Sequence, residues 1–430
     1  MKNKKLLLTL LIGSMVCLSG CSLFNDDDLA FKNVYNPATV VPEEEPEDPD
    51  AIKVLGVTGK TDEKIPNTLC FKSVPYAKDG IITNTYKNGG VHHMGYDVNA
   101  NQDYEGTKRT NNFDLYVPDS AMNKDENLVI LFIHGGAWVS GFKTDVNEYV
   151  HQFASRGFIT ATIKYTLLKR TMDDSSLSIF RDLDEIDACV KAIKEALIEL
   201  DLYNVNTKLA IGGASSGAHL SMLYSYSRGN EAALPIKFVI DAVGPVDIKP
   251  ENWKAFKNAT TGVEAGITYA DIAAQASNIT QLSIAGEDPV KYWNDYQTMR
   301  IANGMCGLPF TLEQVRNATN DEEAEITNPN PASNSMTAAD GGEDQLSVTY
   351  WMNKGVNKFP IVCAYGGRDS IVGIAQFAKL EHALDDNGIT YRYTYFKEQN
   401  HNQITRSANE TAYDEFLSNI QDWCEAAVIA

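Results

Sequence analysis

A serine hydroxyl attacks a carbonyl at neutral pH only with a base beside it, an acid to orient that base, and donors for the charge that builds on the oxygen. The chain holds all four in a workable order. Ser215 is centred in Gly213-Ala214-Ser215-Ser216-Gly217, a G-x-S-x-G pattern whose small residues allow a strained strand-to-helix turn that lifts the hydroxyl clear. Centring the pattern on Ser216 fails, because position 214 is Ala. Asp369 and then His401 follow, each just past the C-terminal end of a predicted strand. In His134-Gly135-Gly136-Ala137-Trp138, two glycines directly after a buried run let main-chain N–H groups turn toward a ligand. The candidates are thus Ser215 as nucleophile, His401 as base and Asp369 as its orienting acid, with N–H groups of Ser216 and of Gly136 or Ala137 as oxyanion donors.

Rivals exist for these roles. Asp247 could orient the base, but Gly244-Pro245-Val246-Asp247 is the setting of a turn residue. His219 and His382 fall inside helical stretches and are expected to be packed or exposed helix residues, while His134 is placed to brace the oxyanion loop. His92-His93 are adjacent and lack a second ligand pair nearby, which favours a surface or substrate-rim role over a metal.

These residues need a scaffold, and the sequence supplies a rhythm of strands and helices. Leu128 to Ile133, Phe158 to Ile163, Leu209 to Ile211, Phe238 to Val243, Pro360 to Tyr365 and Tyr391 to Phe396 read as strands, the apolar ones as buried on both faces. Helical patterns separate them: Asp145 to Arg156, Arg181 to Leu200, the stretch from Ala218, Gln376 to Asn387 and Tyr413 to Ala427. Asn112 to Pro118 alternates and is ended by Pro. Asp182, Asp184 and Asp187 are expected on the solvent face of their helix. The alternation predicts a doubly wound, mostly parallel sheet. Between Pro245 and Phe359 the rhythm breaks; residues 249–327 are expected to form a helical cap or insertion, with 328–345 a loop near it.

A chain of 430 residues can bury a large core, and we expect one catalytic domain over 51–430, with 51–110 an N-terminal extension packed beside the sheet. The formal charge of -20 argues against nucleic acid as a partner, since excess carboxylate repels a phosphate backbone. Lys2, Lys4 and Lys5 precede an apolar run too short to span a bilayer, Leu6 to Leu18. Leu18-Ser19-Gly20-Cys21 follows, and this resembles the lipobox of bacterial lipoproteins. It implies a signal peptide over 1–20, lipidation at Cys21, an exported protein anchored to a bacterial membrane through its N-terminal lipid, and an acidic disordered tether over 21–50. The five cysteines beyond Cys21 have no C-x-x-C spacing, and neither a zinc site nor a disulfide framework is expected.

The stretch from His134 to Trp138, the elbow continued by Ala218-His219-Leu220, the loop Gly366-Gly367-Arg368-Asp369-Ser370-Ile371-Val372 and the late His401 together resemble the α/β-hydrolase esterase/lipase family. They are most similar to its HGG-type branch of lipases, carboxylesterases and feruloyl or acetyl esterases. The resemblance covers roughly residues 110–425 apart from the insertion. It implies an α/β-hydrolase fold, hydrolysis of a carboxylic ester through an acyl-enzyme, no metal or organic cofactor, and an ester substrate that is short-chain or aromatic and glycan-borne. The alternatives are an exported serine peptidase of the same fold and a non-catalytic glycan-binding lipoprotein. Two departures stand out: Ala137 replaces the third Gly of many relatives, and the insertion before Asp369 is unusually long.

Overall fold

The apolar runs line up side by side as strands of one sheet. The computed structural model describes residues 51–76, 81–82, 96–97, 111–124, 126–138, 141–167, 179–248, 345–369 and 371–429. The leader, Cys21, the acidic segment to residue 50, His92-His93 and the 249–327 insertion lie outside the described residues, as do most of 77–110 and 328–344.

In chain order the strands are β1 (Lys53–Val54), β2 (Val57–Thr58), β3 (Lys60–Thr61), β4 (Thr68–Pro75), β5 (Ile81–Ile82), β6 (Tyr96–Asp97), β7 (Asn112–Pro118), β8 (Leu128–Ile133), β9 (Ile159–Lys164), β10 (Lys208–Ala214), β11 (Ile236–Ala242), β12 (Ile361–Gly366) and β13 (Tyr391–Phe396). Nine of them form the central sheet in the order β13-β12-β11-β10-β8-β9-β7-β4-β3, while β1 with β2 and β5 with β6 make separate two-stranded ribbons. The six strands from β8 to β13 run parallel; β7, β4 and β3 pair antiparallel along one side. The sheet is therefore doubly wound and mostly parallel. The N-terminal extension does more than pack beside it, because β4 and β3 continue it.

The described helices are α1 (Asn147–Ala154), α2 (Ile179–Glu199), α3 (Ser216–Arg228), α4 (Val348–Lys354), α5 (Ile374–Asn387) and α6 (Glu410–Ile429). Along β8, Val129, Leu131 and Ile133 face a core shared with α2, α3, α4 and α5, whereas Leu128, Ile130 and Phe132 face one shared with α1 and α6. Burial on both faces is why the run is apolar throughout. Strand β7 departs from expectation: its seven residues are all buried instead of alternating. With β9 on one side and β4 on the other, it is an interior strand of a sheet covered on both faces.

The chain leaves β8 for β9 on one side and returns to β10 on the other, so winding reverses between β8 and β10. Such a reversal is where open α/β sheets place their ligands. The oxyanion candidates follow β8 and Ser215 follows β10.

Helix α2 corrects a second expectation. Asp182, Asp184 and Asp187 are buried, not solvent-facing, because the polar side of the helix packs against other polar groups. Arg228 Nη1 lies 2.6 Å from Asp184 Oδ1, and the Tyr224 hydroxyl donates to Asp187 Oδ1 at 3.1 Å. Glu185 accepts from the Thr166 main-chain N–H (2.6 Å), the Thr166 hydroxyl (2.7 Å) and Arg181 Nε (3.2 Å). Burial pushes the Asp184 carboxyl up to about 6 against the pull of Arg228. Breaking one side of such a pair costs more than removing both. Arg228→Met is expected to lower the unfolding free energy by about 3–5 kcal/mol in a urea titration, and the double variant Arg228→Met/Asp184→Leu to recover most of that loss.

Candidate active site

Ser215 sits where β10 passes into α3, with φ 55° and ψ −123°. A non-glycine residue there carries strain of about 1–3 kcal/mol, which its surroundings must hold in place. The holding groups are main-chain: Ser215 N–H donates to Ala242 O at 2.8 Å, and Ser215 O accepts from His219 N–H at 3.0 Å. The flanking glycines are required by closeness. A Cβ on Gly213 would lie 2.3 Å from Ile133 O, and one on Gly217 2.1 Å from the same atom and 2.4 Å from His134 O. The elbow thus crosses directly against the end of β8.

Ser215 Oγ and His401 Nε2 are 2.8 Å apart, and His401 Nδ1 stands 2.7 Å from Asp369 Oδ2. Asp369 Oδ1 accepts from the N–H groups of Ile371 and Val372, each at 2.8 Å, which fixes the carboxylate plane. The loops carrying acid and base are stitched together by Gly367 N–H to Phe396 O (2.9 Å) and Arg368 N–H to Gln399 O (3.0 Å). Asn400 caps the short 3-10 turn His401–Gln403, its side chain accepting from Asn402 N–H. Asp369 and His401 are both buried. With the acid on Nδ1, Nε2 is left to exchange a proton with the serine, the arrangement a general base for hydroxyl attack needs.

Asp247 is not a member of this chain of bonds. Its carboxylate meets Lys379 Nζ at 2.6 Å and the Ser347 hydroxyl at 3.3 Å, and its N–H donates to Gln376 Oε1. Asp247 thus serves the strand-to-insertion turn.

The 134–138 stretch has three consecutive residues in the left-handed region, Gly136 (φ 119°), Ala137 (φ 50°) and Trp138 (φ 63°). Runs of this kind make concave donor surfaces that suit an anion. The loop touches the elbow, since a Cβ on Gly135 would lie 2.8 Å from Ala214 O and 3.1 Å from Ser215 Cβ. Ser216 opens α3, so its N–H is at a helix N-terminus, where donors are not used within the helix. His134 braces the loop as expected: its Nδ1–H donates to Gly135 O at 2.8 Å, and its ring stacks on Tyr165 at 4.4 Å. Tyr165 in turn donates its hydroxyl hydrogen to His134 O at 3.1 Å. Two further groups lie beside the site: His219, one of the helix histidines expected to be packed or exposed, is fully buried against Trp138, and Asp241, which sequence reasoning missed, is fully buried next to Gly213 in the neighbouring strand.

Asp241 Oδ2 and the Tyr365 hydroxyl are 2.6 Å apart, and that hydroxyl is 2.7 Å from Gly244 O. The Tyr365 hydroxyl is shared between these two acceptors, and Asp241 Oδ1 accepts from Gly244 N–H at 2.7 Å. Burial pushes Asp241 up to about 7 from 3.8, against the hydrogen bonds from Tyr365 and Gly244. A folded pKa above the unfolded one stabilises fully below the unfolded value and is lost as pH rises through the folded one. Asp241→Asn, which mimics the neutral acid, is expected to gain melting temperature relative to the parent steadily from pH 4 to pH 8. A constant difference across that range would show that Asp241 does not titrate there.

Among the described residues, no group of three or more His, Cys, Asp or Glu is placed to hold a metal, and Cys70, Cys189, Cys363 and Cys424 are buried free thiols. Residues 113–292 match the family model described as BD-FAE. No curated protein matches the chain. Solved structures that resemble it include esterase B from Lactobacillus rhamnosis (14% identity over 85% of this chain and 89% of that one, TM-score 0.46). An esterase from Pyrobaculum calidifontis (13%, 74% and 81%, 0.46) and the esterase Est2 from Thermogutta terrifontis (13%, 73% and 86%, 0.43) are others.

Proposed function

We propose that this chain, which carries a BD-FAE domain of the α/β-hydrolase esterase family over residues 113–292, is a serine carboxylic-ester hydrolase working through an acyl-enzyme. The observation that carries the reading is the continuous line from Ser215 Oγ through the His401 imidazole to Asp369, 2.8 and 2.7 Å, starting at a strained elbow. In the first half-reaction His401 Nε2 takes the hydroxyl proton as Ser215 Oγ bonds to the ester carbon, and the carbonyl oxygen becomes an oxyanion. Asp369 holds the Nδ1–H tautomer and stabilises the imidazolium. N–H groups of Ser216 and of Gly136 or Ala137 receive the oxyanion, each donor contributing about 3–4 kcal/mol to the barrier reduction. Collapse expels the alcohol, which leaves with the proton from His401. Water then repeats the sequence on the acyl-serine, returning the acid product and the free hydroxyl. The side chains and N–H groups named complete this cycle.

The substrate belongs to the short acyl or aromatic esters, of the kind that decorate glycans, and the protein acts outside the cytoplasm. The basic end, short apolar run and Cys21 support export and lipid anchoring of a mature chain that starts at Cys21 and bears a 21–50 tether. Among the described residues, no helix is long and apolar enough to cross a membrane.

Residues 22–430 are expected to hydrolyse p-nitrophenyl esters from acetate to octanoate with rates falling along the series, and Ser215→Ala to hydrolyse none. Failure of both proteins, with a fluorophosphonate leaving Ser215 unlabelled, would sink the esterase reading in favour of a binding protein. The acid is tested separately. Asp369→Asn is expected to lower kcat on the order of 10⁴-fold by favouring the wrong imidazole tautomer, while Asp247→Asn leaves kcat little changed. A reversed pair of results would transfer the orienting role to Asp247.

A further inference from the structure

His219 lies one helical turn beyond Ser215 on α3, fully buried, its N–H bonded to Ser215 O at 3.0 Å. Trp138 Nε1 approaches His219 Nδ1 at 3.3 Å, the two rings edge-on with centroids 5.3 Å apart. On its other side, His219 Nε2 is 2.8 Å from Leu346 O. An indole N–H can only donate and a carbonyl can only accept, so the pair of partners selects one species. That species is the neutral imidazole with its hydrogen on Nε2. Burial holds the ring well below its ordinary value, down to about 4, although the Leu346 carbonyl works in the opposite direction. No proton-transfer step requires this ring.

What it contacts gives it a role. Trp138 is the last of the three left-handed residues of the oxyanion loop, fully buried, and neither it nor Ala137 is a glycine. Each left-handed side chain costs about 1–3 kcal/mol of backbone strain, so the loop conformation persists only if something outside the loop holds it. The indole N–H is the handle, and His219 sits on the rigid helix that also carries the nucleophile. Leu346, the third member, belongs to the segment 345–348 that leads into α4.

We infer that His219 is a positioning residue: by accepting the Trp138 indole hydrogen it sets the distance between the oxyanion donors and Ser215, and through Leu346 it ties that distance to the foot of the insertion. The inference rests on the serine-hydrolase reading for its kinetic consequence. Oxyanion donors act on the transition state, so a loosened loop lowers kcat with KM unchanged, and a misplacement of about 1 Å costs on the order of 10²-fold. A residue that merely fills space would not divide the two constants in this way.

Two substitutions separate the ring's two bonds. In His219→Gln the amide reaches the Nε2 position and keeps a donor for Leu346 O, but it has no acceptor where Nδ1 stood. In His219→Asn the amide oxygen occupies the Nδ1 position and keeps the acceptor for Trp138, while the Leu346 bond is lost. The expected result is a kcat loss of about 10²-fold in the Gln variant with KM unchanged, an equal loss of affinity for a trifluoromethyl ketone, whose hemiketal oxygen mimics the oxyanion, and kcat largely restored in the Asn variant. Trp138→Phe, which keeps an aromatic ring in place, is expected to behave as the Gln variant does, and the double variant Trp138→Phe/His219→Gln to be no worse than either single.

The indole ¹H–¹⁵N resonance of Trp138, assigned by its loss in Trp138→Phe, reports the bond without any substrate. It is expected to move upfield in the Gln variant and to stay near its place in the Asn variant. Equal kcat losses in the Gln and Asn variants, a rise in KM with kcat intact, or an indole resonance unmoved in the Gln variant would each overturn the inference. A parent protein that neither turns over esters nor labels at Ser215 would overturn the hydrolase reading instead, and the indole resonance would still decide whether the bond exists.

Discussion

The close crossing of the elbow against the end of β8 is the constraint on which the site depends. With Ile133 O inside the space that a side chain at 213 or 217 would need, the chain turns from strand to helix within a few residues. Ser215, between those glycines, is driven into the left-handed region. The same crossing puts the loop after β8 in contact with Ser215, so the main-chain N–H groups of that loop and the Ser215 hydroxyl are set by one steric fact. Because β8 and β10 are also the strands between which the winding reverses, the crossing lies where open α/β sheets place their ligands.

Much of this could be read from the chain. The parallel strands β8 to β12 are buried almost throughout, and their apolar runs end abruptly; the polar residues just beyond β10 and β12, Ser215 and Asp369, therefore announce themselves, while His401 follows the aromatic edge strand β13. Bounds came out close for β12 at Ile361–Gly366, which is buried along its whole length, and for the edge strand β13 at Tyr391–Phe396, which its run of aromatic residues marks rather than burial. The misses share a different cause. Strand β7 looks half-exposed because nothing local reveals that β4, some forty residues earlier, closes its other side. The acids of α2 look solvated because their partners are far away in sequence: Arg228 is 44 residues from Asp184, and Tyr76 is 109 residues from Glu185. Periodicity reports which face of a helix is apolar, and it is silent on whether the polar face meets water or other polar groups.

Those buried polar groups are concentrated where the chain departs from regular structure beside the site. Glu185 holds Thr166 just after β9, the next residue to Tyr165, whose ring and hydroxyl brace His134. Asp241 holds Gly244 and Tyr365 behind the strand that accepts Ser215 N–H. A satisfied polar network in a low-dielectric interior admits fewer alternative arrangements than apolar packing does, since each alternative leaves a donor or acceptor unpaired. Loops with left-handed residues need that selectivity more than strands do. Helical and strand hydrogen bonds fix the scaffold, and side-chain bonds fix the loops that would otherwise relax.

The insertion is accommodated by the same logic. Its two ends are fastened to each other and to α5 before residue 249 is reached: Gln376 Oε1 accepts from the N–H groups of Val246 and Asp247, the Ser347 hydroxyl accepts from Ile248 N–H, and Thr349 N–H bonds to Val246 O. Once the ends meet, the entropy of closing the excursion grows only with the logarithm of its length, so the sheet is nearly indifferent to what lies between. The loop after β8 is not equally indifferent. Leu346 stands beside the fastening residue Ser347, and its carbonyl holds the imidazole that meets Trp138. The foot is therefore bonded through His219 to the loop after β8, while the hydrogen bonds that link Ser215, His401 and Asp369, borne on the loops after β10, β12 and β13, include no residue of the foot.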